Sequence, residues 1–389
     1  MGQDSPKKPL VVLVGFRAGI MRAAEHLGVE LAVINRRPPP SDFSKRLALS
    51  VECPWDGPPE ALIGTVLRAL DGREVTAVLA LTEGAVLPAA HLRKALGAVG
   101  SDVATAERCS DKRVMKRAMM DAGIRCARHE EITPGTNAEQ LVERLGLPLV
   151  MKNACSSGSR GLLIARSVDE VQGGLAEHDL AESFVRGTEM SVEGFLQDGV
   201  VRFVSTTRYL VPLHANIVPS GVSAAQIEEL HALLQSACNA LGLRHGMAHM
   251  EVFLTEEGPV FGELGARPPG GRLMPLIQAA WGFDPYGTIL RLGLGRDVTF
   301  PAAPGQAAGT WILHPGAGVL NRIEGLEAAE ATPLVRKVLL RVAEGDVISR
   351  RIGSGQDIGH IDVRGETPDE VADALRAARR ALKLTVQPA

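Results

Sequence analysis

Glu251 and Glu263 stand on either side of a turn in HMEVFLTEEGPVFGELGARPPGG, where apolar residues alternate with period two as in a half-buried strand pair. A three-residue loop of Glu256, Glu257 and Gly258 between Thr255 and Pro259, with the glycine left-handed, sets the expected register. It places Glu251 opposite Glu263, Phe253 opposite Phe261, and Leu254 opposite Val260 on the other face. Like charges directly opposite destabilise a strand pair. At about 5 Å and an effective dielectric near 20 the repulsion is roughly 3 kcal/mol, falling to about 1 kcal/mol or less where both carboxylates are hydrated. A bound divalent cation removes that cost, so the pair reads as a metal site, against the plainer alternative of two glutamates in water. His249 shares their face by alternation, and Arg267 follows Glu263 by four residues in a Pro- and Gly-rich turn. Carboxylate pairs suit magnesium, which completes its octahedron with water and substrate phosphates.

Earlier segments offer partners for such phosphates. In SDKRVMKRAMMDAGI, Ser110 is the expected N-cap, Lys112 and Arg113 occupy the first turn, Val114, Met115, Ala118 and Met119 form the buried stripe, and Gly123 ends the helix. Cations there oppose the helix dipole unless an anion is bound beside them or Asp111 compensates. A strand ending at Lys152 leads into the loop Ser156, Ser157, Gly158, Ser159, and residues 162–165 return as a strand. Such small residues let backbone amides and hydroxyls approach phosphate oxygens. In AESFVRGTEMSVEGFL, a strand over 182–185 breaks at a glycine before a second strand near Glu189. The backbone of that break, around Glu182, Phe184 and Val185, can pair with a flat adenine, and Glu189 can accept from ribose hydroxyls. Taken one at a time, these segments read as a solvated helix end, a turn and an ordinary hairpin.

The elements that carry these residues begin with an alternation of strands (10–14, 31–35, 75–81) and helices (18–27, 86–96), an open α/β arrangement. The glycine turn GFRAG lacks the GxGxxG spacing, and Asn35 supplies no ribose-binding carboxylate, so a dinucleotide-binding domain is set aside. Residues 226–241 form an amphipathic helix with a core face. An Ala-, Pro- and Gly-rich stretch at 302–309 marks a boundary before β-like runs at 310–313, 335–342 and 346–352. Thr367, Pro368 and Glu370 make a capping box that starts a last helix running to Leu384.

Length and composition fit two or three globular domains: 389 residues, 45% hydrophobic and 22% charged. A net charge of −3, with both signs interspersed, gives no footprint for nucleic acid or anionic membrane. Five scattered cysteines without CxxC spacing exclude a disulfide framework and a zinc site, and fit a reducing cytoplasm. The first apolar run is too short for a signal segment or membrane span.

The order of these pieces resembles the ATP-grasp superfamily, and within it the carboxylate–amine ligases similar to L-amino acid (dipeptide) ligases. TEGAV, SDKRVMKRAMMDAGI, PLVMKNACSSGSRG, ESFVRGTEMSVEGF and GMAHMEVFLTEEGPVFGELGARPPGG carry the resemblance, with GAGVLNRIEGLEAAE and GETPDEVADALRAARRAL in the tail. It implies a fold of mixed α/β and α+β class. Residues 1–108 would form an N-terminal open α/β domain, 109–301 a two-lobed ATP-grasp with its lid lobe at about 109–185, and 302–389 a small β-rich cap.

It also implies ATP and magnesium, two ions, with manganese as the substitute. Lys112 and Lys152 would meet phosphates, Ser156, Ser157, Gly158 and Ser159 the lid, Glu182, Phe184 and Val185 adenine, and Glu189 ribose. Glu251 and Glu263 would hold the metals. Arg267, with Gly270 and Gly271, would meet the substrate, and His249 would orient or deprotonate the amine. Small-molecule acids and amines are the implied substrates, and a homodimer the implied assembly. One departure stands out: Gly265 occupies the position where many relatives carry an asparagine oxygen ligand. Two other readings stay open, a bicarbonate-using carboxylase similar to biotin carboxylase or the purine-pathway carboxylase, and a non-catalytic ATP sensor.

Overall fold

In the computed structural model, which describes residues 8–156, 158, 160–351 and 356–387, four sheets divide the chain. Near the N-terminus Leu49–Glu52, Glu30–Asn35, Leu10–Val14 and Ala77–Ala80 lie side by side, all parallel. Leu10–Val14 is buried at every position, as its unbroken apolar run requires of a strand covered on both faces. The strand Leu49–Glu52 and the helix Pro59–Leu70 extend the sequence-based reading of this region.

A smaller antiparallel sheet follows, in the order His129–Glu131, Leu180–Ser183, Leu149–Lys152, Leu163–Ala165. Its strand over 180–183 stops short of the expected 182–185, leaving Phe184 and Val185 beyond the strand end. The largest sheet has eight strands: Gly258–Gly265, Gly246–Thr255, Thr188–Gln197, Val200–Val211, Ala215–Val218, Ala307–Leu313, Gly359–Gly365 and Val335–Leu340. Strands from the C-terminal third thus continue the sheet that carries the paired glutamates. Val347–Ile348, Gly318–Glu324 and Lys383–Gln387 form a three-stranded sheet beside it. Residues 209–221 are largely taken up by the hairpin of Val200–Val211 and Ala215–Val218.

Two helix ends differ from expectation. Asp111, not Ser110, caps Lys112–Asp121, its carboxylate accepting from the Arg113 amide at 2.9 Å, while Ser110 closes the preceding helix Val103–Ser110. The acceptor has to follow the chain reversal, and the reversal comes one residue later. The buried stripe is Lys112, Met115, Lys116 and Met119, and Val114 is exposed. The last helix keeps its Thr367–Glu370 capping box but ends at Ala381, because the tail from Lys383 pairs as a strand with Gly318–Glu324.

The glutamate hairpin keeps its pairing by a different route. Its turn holds two residues, Glu256 and Glu257, so Phe253 faces Val260 and Leu254 faces Pro259, and the three-residue loop is corrected. A bulge between Glu251 and Val252 then shifts the register by one and restores Glu251 opposite Glu263. Gly262 lies within it, where a Cβ would sit 2.8 Å from the Glu251 carbonyl oxygen.

Candidate functional site

A cavity of about 670 Å³ lies over this hairpin, lined by Gly158, Glu189, His249, Glu251, Glu263, Arg267, Gly270 and Gly271 among others. Sequence-predicted residues from the loop, the strand break and the hairpin are therefore brought together. Lys112, Lys152, Ser156, Glu182, Phe184 and Val185 do not line it. Ser157 and Ser159 lie outside the described residues.

The two lysines are tied to the site through carboxylates. Lys112 Nζ lies 3.3 Å from Glu263 Oε2 and also donates to the Ser156 carbonyl, so the helix start, the loop and the hairpin meet at one ammonium. The Ser156 hydroxyl donates to the Asn153 carbonyl at 2.8 Å. Lys152 Nζ lies 2.8 Å from Glu182 Oε1. Lys116, a residue the helical reading passed over, approaches the same oxygen at 3.4 Å and is 1% exposed. Burial lowers the Lys116 pKa, with Glu182 acting against that effect. A lysine at stripe spacing, four residues after Lys112, was the signal available for it.

At the hairpin, burial and the facing Glu251 raise the Glu263 pKa. Burial acts upward on Glu251 too, but the hydrogen bond and charge of His249 prevail and lower it. Glu189 is pushed up to about 7 by burial and by Glu251 and Glu263. Glu189, Glu251 and Glu263 thus add to the negative charge of one cavity, a concentration that calls for cations.

His249 is fixed from behind. Glu193, fully buried on the strand Thr188–Gln197, accepts from Ser191 Oγ at 2.6 Å and Thr207 Oγ1 at 2.7 Å, and meets His249 Nδ1 at 2.9 Å. His249 Nε2 lies 3.6 Å from Glu251 Oε1. Burial alone would lower the imidazole, but Glu193 and Glu251 raise it to about 9. These carboxylates favour the protonated imidazole and hold its ring in place. Glu193 shares a face with Glu189 by alternation, the pattern that could have flagged it.

Arg267 turns toward the N-terminal segment: its Nε donates to Glu83 Oε2 at 2.7 Å and its Nη1 to the Pro268 carbonyl at 3.1 Å. Glu83 belongs to the TEGAV segment and also lines the cavity. Arg17 holds the same turn in place through the carbonyls of Leu81 at 2.7 Å, Pro269 at 2.6 Å and Pro268 at 3.1 Å. Neither Glu83 nor Arg17 was assigned from sequence, since their partners lie far along the chain.

A divalent cation fits the donor set in one way. Among the described residues no group of three His, Cys, Asp or Glu side chains could hold a metal ion by itself. Glu251 and Glu263 supply two carboxylates, so the remaining positions fall to water and substrate oxygens, as magnesium favours. No helix among the described residues is long and apolar enough to cross a membrane.

Comparison with known proteins gives the chain's relatives in sequence and fold. The ATP-grasp domain profile matches residues 172–275 and the L-amino acid ligase C-terminal domain 2 profile residues 310–387. The chain is 25% identical over 350 residues to an uncharacterized protein of Sinorhizobium fredii strain NGR234, covering 85% of this chain and 72% of that one. It is 24% identical over 323 residues to the L-arginine-specific L-amino acid ligase of Bacillus subtilis, covering 78% of each. The fold matches the crystal structure of L-amino acid ligase from Bacillus licheniformis with a TM-score of 0.84 at 21% identity, over 98% of this chain and 100% of that one. The chain thus carries an ATP-grasp domain match and an L-amino acid ligase C-terminal domain match, and in sequence and fold it is similar to carboxylate–amine ligases of the L-amino acid ligase kind.

Proposed function

We propose that this cavity joins a carboxylate to an amine at the expense of ATP, through an acyl phosphate, with an amino acid as one substrate. The observation that carries the reading is Glu251 facing Glu263 with Lys112 beside the second carboxylate and Arg267 in the same cavity. A carboxylate is a poor electrophile, and a phosphoryl group converts its oxygen into a leaving group. The substrate carboxylate oxygen attacks the γ-phosphorus, the bond to the bridging oxygen breaks, and ADP departs. The amine nitrogen then forms a bond to the acyl carbon, and the tetrahedral adduct expels inorganic phosphate as the ammonium loses a proton.

In this reading Lys112 and Lys152 hold ATP phosphates, and Ser156, Gly158 and the neighbouring Ser157 and Ser159 cover them and exclude water. The backbone of Glu182, Phe184 and Val185 receives adenine, and Glu189 the ribose. Glu251 and Glu263 would hold one or two magnesium ions, or manganese. Such an ion, when bound, supplies charge neutralisation at the phosphates. Arg267 faces the substrate carboxylate and, with the amides of Gly270 and Gly271, the tetrahedral oxyanion. His249 acts as a donor that orients its neighbours. Residues 1–108, 109–301 and 302–389 are the units that share these tasks, in a cytoplasmic enzyme that forms a homodimer.

Release of ADP across pairs of amino acids, with the condensed product read by mass, tests the proposal. Strictly bicarbonate-dependent ATP hydrolysis, or nucleotide binding without turnover for any pair, would overturn it.

A further inference from the structure

Arg272 immediately precedes the helix Leu273–Trp281 with φ of +60°, and Gly271 before it stands at +57°. Glycine adopts that left-handed backbone without strain, whereas a residue with a Cβ does not. An arginine held there is a strained position whose side chain calls for a use.

The side chain lines the same cavity as His249, Glu251 and Arg267. Its Nη2 donates to Asp362 Oδ2 at 2.9 Å, and Asp362 is itself held by Thr310 Oγ1 on Oδ1 at 2.8 Å and approached by His360 Nε2 at 3.4 Å. Thr310 and Asp362 face each other on neighbouring strands of the large sheet, so a rigid element from the C-terminal third aims this guanidinium. Asp362 is the acceptor recorded for Arg272 among the described residues, and Arg272 Nε has none. A guanidinium offers five N–H donors in a fork that matches a carboxylate.

Two neighbouring arginines of the cavity have other tasks, Arg267 being the residue assigned above to the activated carboxylate. Arg17 is spread over three backbone carbonyls, and Arg267 is turned to Glu83 and the Pro268 carbonyl.

We propose that Arg272, with Asp362 as its positioning residue, is the group that binds the free carboxylate of the amine-contributing amino acid. The assignment rests on the ligase reading and specifies its second substrate.

The experiment separates the two. Hydroxylamine replaces the amine, and hydroxamate formed from each L-amino acid identifies the acid that is activated; no hydroxamate from any acid overturns the ligase reading and this assignment with it. With the activated acid fixed, each amine is supplied as the L-amino acid and as its carboxamide. The wild-type protein is expected to use the carboxamide at least tenfold less well in kcat/KM. Arg272→Met is expected to erase that preference by raising KM for the amino acid. Asp362→Asn is expected to raise that KM severalfold with a smaller change in kcat. Equal use of acid and carboxamide by the wild-type protein overturns the assignment without any variant, as does an unchanged preference in Arg272→Met.

Discussion

Glu182 Oε1 sits between two ammonium groups, 2.8 Å from Lys152 and 3.4 Å from the buried Lys116. Breaking a buried pair leaves an uncompensated charge, which is far more costly than exchanging the whole pair for apolar groups. We predict that Glu182→Gln lowers the free energy of unfolding by about 3 kcal/mol. Denaturant unfolding measures it, and a loss below about 1 kcal/mol would show that the lysines do not depend on this carboxylate.

Lys116→Met is predicted to cost less, because Glu182 keeps Lys152 as its partner. The consequence should appear in ATP binding, since Lys152 is then held more tightly by Glu182. A several-fold rise in KM for ATP is expected, and an unchanged KM would remove the link.

Glu263→Gln keeps the shape of the hairpin and removes one carboxylate charge. We expect ADP release to fall at least a hundredfold, on the order of 3 kcal/mol in the barrier, while the protein stays folded without nucleotide. Retention of full activity would eliminate the metal assignment. Chelation of divalent ions should abolish turnover in the wild-type protein, with recovery on addition of magnesium or manganese.

The Glu193–His249 contact gives a pH dependence of stability. His249 rises from 6.5 to about 9 in the fold, so the folded state holds a proton that the unfolded state releases earlier. Its contribution is fully present below about 6.5 and is lost as the pH rises through about 9. Glu193→Gln should flatten that slope in unfolding midpoints measured from pH 6 to pH 10. An identical slope in the variant would refute the coupling.

Arg267→Lys retains charge and loses the fork that meets Glu83 and, in the proposed reading, a substrate carboxylate. A drop of at least tenfold in kcat/KM is expected, and an unchanged rate would exclude carboxylate clamping by this residue.

Much of this site was legible in the sequence, because alternation and helical spacing are local. They placed His249, Glu251 and Glu263 on one face, and the structure gathers them in one cavity. The route to that pairing was not legible. A two-residue turn and a bulge at Gly262 together give the pairing that a three-residue loop gives alone. Residues whose meaning depends on distant partners were missed as well. Glu83 and Arg267 are separated by 184 positions, and Arg272 and Asp362 by 90. The end of the last helix was misplaced for a related reason: the pairing of Lys383–Gln387 with Gly318–Glu324 overrides local helical preference.

The eight-stranded sheet runs without interruption from the hairpin of Glu251 and Glu263 to the strand that bears Asp362. Those carboxylates and Arg272, which Asp362 anchors, are therefore tied to one continuous sheet. Lys152 and Glu182 ride on the separate four-stranded sheet. If Lys152 holds ATP phosphate as proposed, any movement of its small sheet would bring that lysine to the paired acids without changing how those acids sit relative to Arg272.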